Sequence, residues 1–241
     1  MPQTILITGA SAGIGLGLAE ALLARGDRVF ALQRRSSPLA GRPGFSEALI
    51  DLTDFSELPA QLAQLLDGVV ELDLIVLNAA VAAELRDLAD TPLEELRRLM
   101  DVNTWSNKVL LDAVFRSGIA VKQVIGISSG AAVRGSRGWN GYSLSKAAFA
   151  MLIQLYAAER PETHFCSLAP GIVQTRMQDD LLSLSPAQRQ QFPVVERLLA
   201  ARGTADMPLP DVAAPRLLDA FERALREPSG AFLDLRQLSS R

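Results

Sequence analysis

Residues 3–15, QTILITGASAGIG, decide the fold. Gln3 to Thr8 is a short apolar run rich in branched side chains and bounded by Gly9, the pattern of a buried strand. From Gly13 onward, Ile14, Leu18, Leu22 and Leu23 recur at helical spacing until Gly26 stops the run. A strand thus passes directly into a helix through Gly9, Gly13 and Gly15. Glycine permits the tight turn, and a missing Cβ lets a phosphate approach the backbone. The helix N-terminus then offers unpaired N–H groups and a partial positive charge, which suits a pyrophosphate. The spacing is G-x-x-x-G-x-G rather than the commoner G-x-G-x-x-G. Its place at the first strand–helix junction is nevertheless the context such a motif requires.

The alternation continues outward from this turn. Strands are predicted at Arg28–Gln33, Glu47–Ile50, Leu72–Leu77, Gln123–Ser128, His164–Leu168 and Ala231–Leu235. Helical periodicity runs over Phe55–Leu66, Tyr142–Ala158 and Asp211–Arg226. Thr91-Pro92 reads as an N-cap with proline in the first turn, opening one long helix toward Ser117. Short helical patches lie between the prolines of residues 176–210. Continuous apolar strands alternating with helices imply a mostly parallel, seven-stranded sheet covered on both faces. No internal repeat, low-complexity tract or linker interrupts residues 1–241, so a single domain is expected.

Composition supports this and excludes other classes. With 49% apolar and 21% charged residues, 241 residues suffice for a sizeable core. Twenty-four Lys and Arg against 27 Asp and Glu leave a net charge of −3, which gives no general attraction for nucleic acid or anionic membranes. The lone Cys166 and lone His164 cannot build a four-ligand zinc site, and no metal is expected. Both read as structural residues of one strand. No uncharged apolar run of ~18 residues suggests a membrane span. The N-terminal stretch lacks the basic and long apolar regions of a secretory signal, so a cytoplasmic protein is expected.

Two further segments carry chemistry. An acidic residue at the end of the second strand would accept the ribose hydroxyls of NAD, whereas arginine can neutralise the extra phosphate of NADP. This chain has Gln33, Arg34 and Arg35 there, with no carboxylate until Glu47, which favours NADPH/NADP+ over NAD. Later, SSGAAVRGSRGWNGYSLSK brings together Ser129, Tyr142 and Lys146. Tyr142 and Lys146 are four apart and share a helix face. A nearby ammonium stabilises a phenolate and so lowers the phenol's ordinary pKa of about 10. Ser129, at the carboxyl end of a strand, can polarise a carbonyl as a hydride reaches its carbon.

Over nearly its full length the chain resembles the short-chain dehydrogenase/reductase family. TGASAGIG, the strand end LNAA, Asn103, Ser129 with YSLSK, and PGIVQT carry the resemblance. It implies a Rossmann-type doubly wound α/β fold with catalytic roles for Asn103, Ser129, Tyr142 and Lys146. Tyr142 would donate a proton, Lys146 would lower its pKa and bind the nicotinamide ribose, and Asn103 would hold a relay water. Gly9, Ser11, Gly13, Ile14, Gly15 and Arg34 would meet the dinucleotide phosphates. Asp51 and Leu52 would meet the adenine, Asn78 and Ala79 border the cofactor, and Val173 and Thr175 contact the carboxamide end. Ala80 stands where the family usually has glycine.

GWNGYSLSK, LAPGIVQTRMQ and SGAFLDLR are similar to the sepiapterin and benzil reductase branch. This implies NADPH-dependent reduction of a carbonyl beside another carbonyl or an aromatic ring. In that branch Asp234 matches the position that anchors substrate amines, while Trp139 and Met177 are expected pocket walls. Residues 176–210 are expected to form a lid, with Leu181, Leu182, Leu184 and Phe192 making an apolar pocket. The apolar helix AAFAMLIQLYAA needs burial on more than one side, and family resemblance suggests a homodimer or homotetramer.

Two rival readings compete with carbonyl reduction. A non-catalytic NADP-binding sensor could use the same fold. GISSG, Gly126–Gly130, also fits the G-x-S-x-G elbow of a hydrolase with Ser128 as nucleophile, and His164 would then have to serve as its base.

Overall fold

In a computed structural model of the chain, residues 2–82, 84–182, 185 and 190–238 are described. Strands β1 (Thr4–Thr8), β2 (Arg28–Gln33), β3 (Phe45–Leu49), β4 (Glu71–Leu77), β5 (Ala120–Ile127), β6 (His164–Ala169) and β7 (Ala231–Asp234) form one sheet. Its order is β3-β2-β1-β4-β5-β6-β7, and every pair is parallel. The order reverses between β1 and β4, which opens a crevice at the strands' carboxyl ends.

Helices cover both faces because the strands are apolar on both. Ile5 and Ile7 point toward α1 (Gly13–Ala24) and the Leu217 and Phe221 side chains, joining one buried core. Leu6, between them, points the other way to meet Leu111, Phe149 and Ile153. That second layer consists of α2 (Leu58–Leu65), α4 (Ser106–Arg116) and α5 (Asn140–Glu159). Helix α3 (Leu93–Met100) precedes α4; α6 (Arg176–Leu182), α7 (Pro193–Ala201) and α8 (Pro210–Ala224) follow, and α9 (Leu235–Leu238) succeeds β7. Cys166 is buried in the sheet, where burial pushes its thiol up to about 12. His164 Nε2 lies 3.0 Å from the carbonyl of Glu227.

The long helix expected from Thr91 to Ser117 is not continuous. Between α3 and α4 the chain makes a π-helical turn over Asp101–Trp105. Four tertiary bonds hold this wider turn, one of them from the Asn103 amide to the Ser145 hydroxyl. Asn103 bonds both backbone groups of Val81, and the Thr104 hydroxyl donates to the carbonyl of Ser145. Such bulges occur where side chains are drawn into contacts that a regular helix would misdirect. Strand β3 begins at Phe45, two residues earlier than expected, because Phe45 is buried and pairs with Val29. Helix α2 starts at Leu58 rather than Phe55, because Asp54 Oδ1 accepts from Ser56 Oγ and Glu57 N and so holds a turn ahead of it.

Candidate active site

Thr8 and Asn78 tie together the ends of β1 and β4. Thr8 Oγ1 accepts from the N–H of Asn78 and Ala79, at 2.9 and 3.0 Å. Asn78 Nδ2 donates to the carbonyls of Thr8 and Gly9, at 2.9 and 3.1 Å. This clamp presses the glycine turn against β4. Gly13 has φ +59°, a left-handed conformation that side chains resist. Gly15 is helical, yet a Cβ there would stand 2.2 Å from the Gly9 carbonyl oxygen. Helix α1 begins beyond Ala12 without a side-chain cap and without an acidic residue in its first turn. Its N–H groups are therefore available to an anion.

The turn opens into a cleft of ≈ 570 Å³. Gly9, Ser11, Gly13 and Ile14 line one end, and Asn78, Ala79 and Ala80 line its floor. Val173 and Thr175 lie opposite the turn, with the Thr175 methyl 3.2 Å from where a Gly13 Cβ would sit. Gly15 does not line the cleft; it packs behind the turn.

Arg34, Arg35, Asp51 and Leu52 line the far end. Arg34 lies 3.7 Å from Asp51, whose carboxyl is held low chiefly by hydrogen bonds from the Thr53 backbone and hydroxyl. Glu47 returns to this region in space from β3. Its oxygens accept from Gln33 Nε2 at 2.6 Å, Ser36 Oγ at 2.5 Å and the Ser37 N–H at 2.9 Å. That carboxylate is spent on the loop after β2, and it does not line the cleft.

At the other end stand Ser129, Tyr142 and Lys146. Ser129 follows β5, while Tyr142 and Lys146 sit one turn apart on α5. The Ser129 hydroxyl oxygen accepts from the Ala131 N–H at 3.1 Å and lies near enough to the Tyr142 phenol to act on its pKa. Tyr142 is buried, with its ring 5.0 Å from that of Trp139. Burial pushes its pKa up, against a smaller lowering by Ser129, so the phenol keeps its proton at neutral pH. Lys146 Nζ donates to the Ile127 carbonyl at 2.8 Å and lies 6.0 Å from the Tyr142 ring centroid. Burial brings Lys146 down to about 8. The sequence leads one to expect that the ammonium acidifies the phenol; here desolvation of both groups dominates, and the ammonium's hydrogen bond goes to the β5 backbone.

Asn103 is buried behind this trio rather than on the cleft wall. Its Oδ1 accepts from Val81 N at 2.8 Å, and its Nδ2 donates to Val81 O and Ser145 Oγ, both at 2.9 Å. Its amide therefore orders the loop after β4 against α5.

Trp139 and Met177 line the cleft. Asp234 does not. Its Oδ1 accepts from Arg236 Nε at 2.9 Å and its Oδ2 from Arg236 Nη2 at 2.5 Å, and Arg236 is the residue that reaches the cleft. Phe192 is buried against Gly138 and the apolar side of α7 instead of facing the cleft. Leu184 and the side chains of Leu181 and Leu182 lie outside the described residues. Sequence reasoning missed Arg236 and Arg134. Asp234 and Arg236 are two apart across a strand end, a spacing that could have paired them.

The hydrolase constellation does not assemble. Ser128 is buried at the carboxyl end of β5 and is followed by a short 3₁₀ turn rather than an α-helix. His164 pairs with Gln123, five residues back from Ser128 along that strand, and no other histidine exists. Among the described residues no group of three or more His, Cys, Asp or Glu could hold a metal, and no helix is long and apolar enough to cross a membrane. The cleft does fit a nicotinamide dinucleotide: a glycine turn without room for a Cβ, an uncapped helix N-terminus, and a buried Ser128 hydroxyl with no partner among the described residues.

Comparison with known proteins agrees. The short chain dehydrogenase family model matches residues 3–184. A benzil reductase ((S)-benzoin forming) of Saccharomyces cerevisiae is 30% identical over 89% of this chain and 88% of its own length. A benzil reductase ((S)-benzoin forming) of Bacillus subtilis is 28% identical over 98% of this chain and 99% of its own. A solved short chain dehydrogenase/reductase of Saccharomyces cerevisiae superposes with a TM-score of 0.84 at 22% identity, covering 97% of this chain and 96% of that one. The chain belongs to the short-chain dehydrogenase family and is an oxidoreductase acting on CH–OH and C=O groups.

Proposed function

We propose that this enzyme is an NADPH-dependent carbonyl reductase of ketones flanked by a second carbonyl or an aromatic ring, with Tyr142 as proton donor. The observation that carries this reading is the convergence of Ser129, Tyr142 and Lys146 on the cleft that begins at the glycine turn. The similarity to two benzil reductases supports the substrate class.

When bound, a reduced nicotinamide supplies the hydride that the carbonyl carbon accepts. The Ser129 hydroxyl orients the carbonyl oxygen, and Tyr142 Oη, protonated at neutral pH, gives that oxygen its proton. Lys146, as ammonium, offsets the phenolate left behind and would hold the nicotinamide ribose. Asn103 is a positioning residue that fixes the Val81 loop beside Tyr142. Ser11 and Ile14, with the α1 N-terminus, would hold the pyrophosphate, and Thr175 and Val173 would hold the carboxamide end.

Arg34 and Arg35, with Glu47 withdrawn into its own loop, favour the 2′-phosphate of NADP. Replacing Arg34 with Glu should cut kcat/KM for NADPH by more than tenfold relative to NADH; an unchanged ratio would remove Arg34 from cofactor selection. The test of the overall reading is consumption of NADPH with benzil, sepiapterin and simple aldehydes, with NADH in parallel. Binding of NADPH with no turnover across the panel would favour a sensor. Because Arg236 occupies both oxygens of Asp234, diketones and aryl ketones are expected to outperform a pterin.

Alkaline pH should weaken the reduction. Lys146 is charged below about 8 and loses its proton above, while the Tyr142 phenol is held up and stays protonated. The kcat/KM for carbonyl reduction should therefore fall as pH rises through about 8. A profile flat to pH ~10, where an unperturbed lysine titrates, would show that the Lys146 charge is not used.

Helices α6 and α7 carry Met177, Val194 and Leu198 to the cleft and constitute the lid of the proposed enzyme. Leu144, Met151 and Leu155 form an exposed apolar stripe on one face of α5, with Trp105 also exposed just ahead of α4. We assign this surface to a homodimer contact. Sedimentation should show no lone 25.9 kDa species at micromolar concentration.

A further inference from the structure

The charge lining the cleft is out of keeping with the chain as a whole. The protein carries a net −3, yet seven arginines and Lys146 line the cleft, and Asp51 is the single carboxylate among its described lining residues. Arg34, Arg35 and Arg98 belong to the Asp51 end, which the cofactor's phosphates explain. Arg134 and Arg236 do not. They belong to the Ser129 end, where a neutral diketone offers no charge to balance theirs.

Arg236 is held in a defined pose. Buried Asp234 takes its Nε and Nη2 in a fork, and the side chain then runs along two glycines that border the reacting end. A Cβ on Gly130 would stand 3.6 Å from Nη2, and one on Gly171 would stand 3.7 Å from Cγ. A guanidinium has five N–H donors and two edges able to grip a carboxylate. Asp234 uses one edge; the other, through Nη1, has no partner among the described residues. Arg134 is exposed without a side-chain partner among those residues, and its charge also acts on Asp234. Two guanidiniums thus stand near one carboxylate that Arg236 alone pairs, which leaves a local charge of +1 before Arg176 and Arg197 are counted on the cleft wall. Tying the chain end to β7 accounts for the Asp234 fork but not for Arg134.

Resting on the reductase reading above, we propose that the substrate is an anionic ketone whose oxyanion, a carboxylate foremost, is gripped by Arg236 and Arg134 beside Ser129. The planar free edge of Arg236 matches a carboxylate best; a phosphate or sulfonate presents the same chemistry and is separated by the test.

The experiment compares benzoylformate with its methyl ester, which differs mainly in charge, and includes benzil and sulfonate- and phosphonate-bearing aryl ketones. The wild-type enzyme should prefer benzoylformate over the ester by at least tenfold in kcat/KM, and raising the salt concentration should erode that preference. Arg134→Gln should lower the anion-to-ester ratio at least tenfold. The double variant Arg236→Gln with Asp234→Asn, which leaves no bare buried carboxylate, should do the same. A sulfonate or phosphonate preferred over benzoylformate would overturn the carboxylate assignment while keeping the oxyanion site. Reduction of benzil and the ester with no anion preference, or a ratio unmoved in both variants, would overturn the proposal and leave the reductase standing. Should no carbonyl compound be reduced, the reductase reading fails. Calorimetry of benzoylformate against wild type and Arg134→Gln in the presence of NADP+ then still decides whether an anion site exists.

Discussion

Replacing Tyr142 with Phe should lower kcat for benzil reduction by about 10²–10⁴-fold, the usual worth of a positioned general acid. The substitution removes one oxygen and little else. The ring packs against Leu99 and Trp139, and those contacts survive in phenylalanine, so the fold should persist. The glycine turn and Lys146 remain, so the dissociation constant for NADPH, followed by cofactor fluorescence, should stay within a few-fold. The two readouts therefore separate. Loss of turnover with intact binding supports the assigned role. Turnover within tenfold of wild type would mean that another group delivers the proton, and no other neutral acid adjoins Ser129 among the described cleft residues.

Gly15→Ala should have the second large effect, although it adds only a methyl group. Its Cβ would stand 2.2 Å from Gly9 O and 2.5 Å from Asn78 Nδ2. Gly9 O is backbone and Asn78 Nδ2 belongs to the clamp that shapes the turn, so relief cannot come without disturbing the turn itself. Either α1 moves away from β1 or Asn78 releases Thr8 and Gly9. Overpacking of this kind costs about 1–3 kcal/mol, and for a domain of this size that corresponds to a melting point several degrees lower. NADPH binding should weaken by at least tenfold, because the N–H groups of the turn lose their aim. Gly135→Ala is the control: a Cβ there meets nothing within 4 Å, and both quantities should be unchanged. Equal melting points and affinities for Gly15→Ala and wild type would show that the turn tolerates displacement.

Most of the architecture was legible because its signals are local. Buried parallel strands declare themselves as short apolar runs, and the glycine turn occupies a few consecutive residues. Tyr142 and Lys146 were found together because helix geometry brings i and i+4 to one face. Other features depend on partners distant in sequence. The π turn at Asp101–Trp105 arises because Asn103 reaches Val81 and Thr104 reaches Ser145. Helical periodicity alone makes that stretch one continuous helix. Glu47 is a solvent-facing strand residue in sequence, and only the fold brings its carboxylate to Gln33 and the Ser36 and Ser37 loop.

By itself, then, the order of residues determined an alternating α/β chain with a glycine turn after its first strand, and a helix that carries Tyr142 and Lys146 on one face. Tertiary structure decided the electrostatics of those groups: Tyr142 raised and Lys146 lowered by burial, Asn103 turned into a brace, and Asp234 covered by Arg236. The physical reason is that secondary structure follows from periodicities within a dozen residues, whereas a side chain's solvation and charge partners follow from everything packed around it.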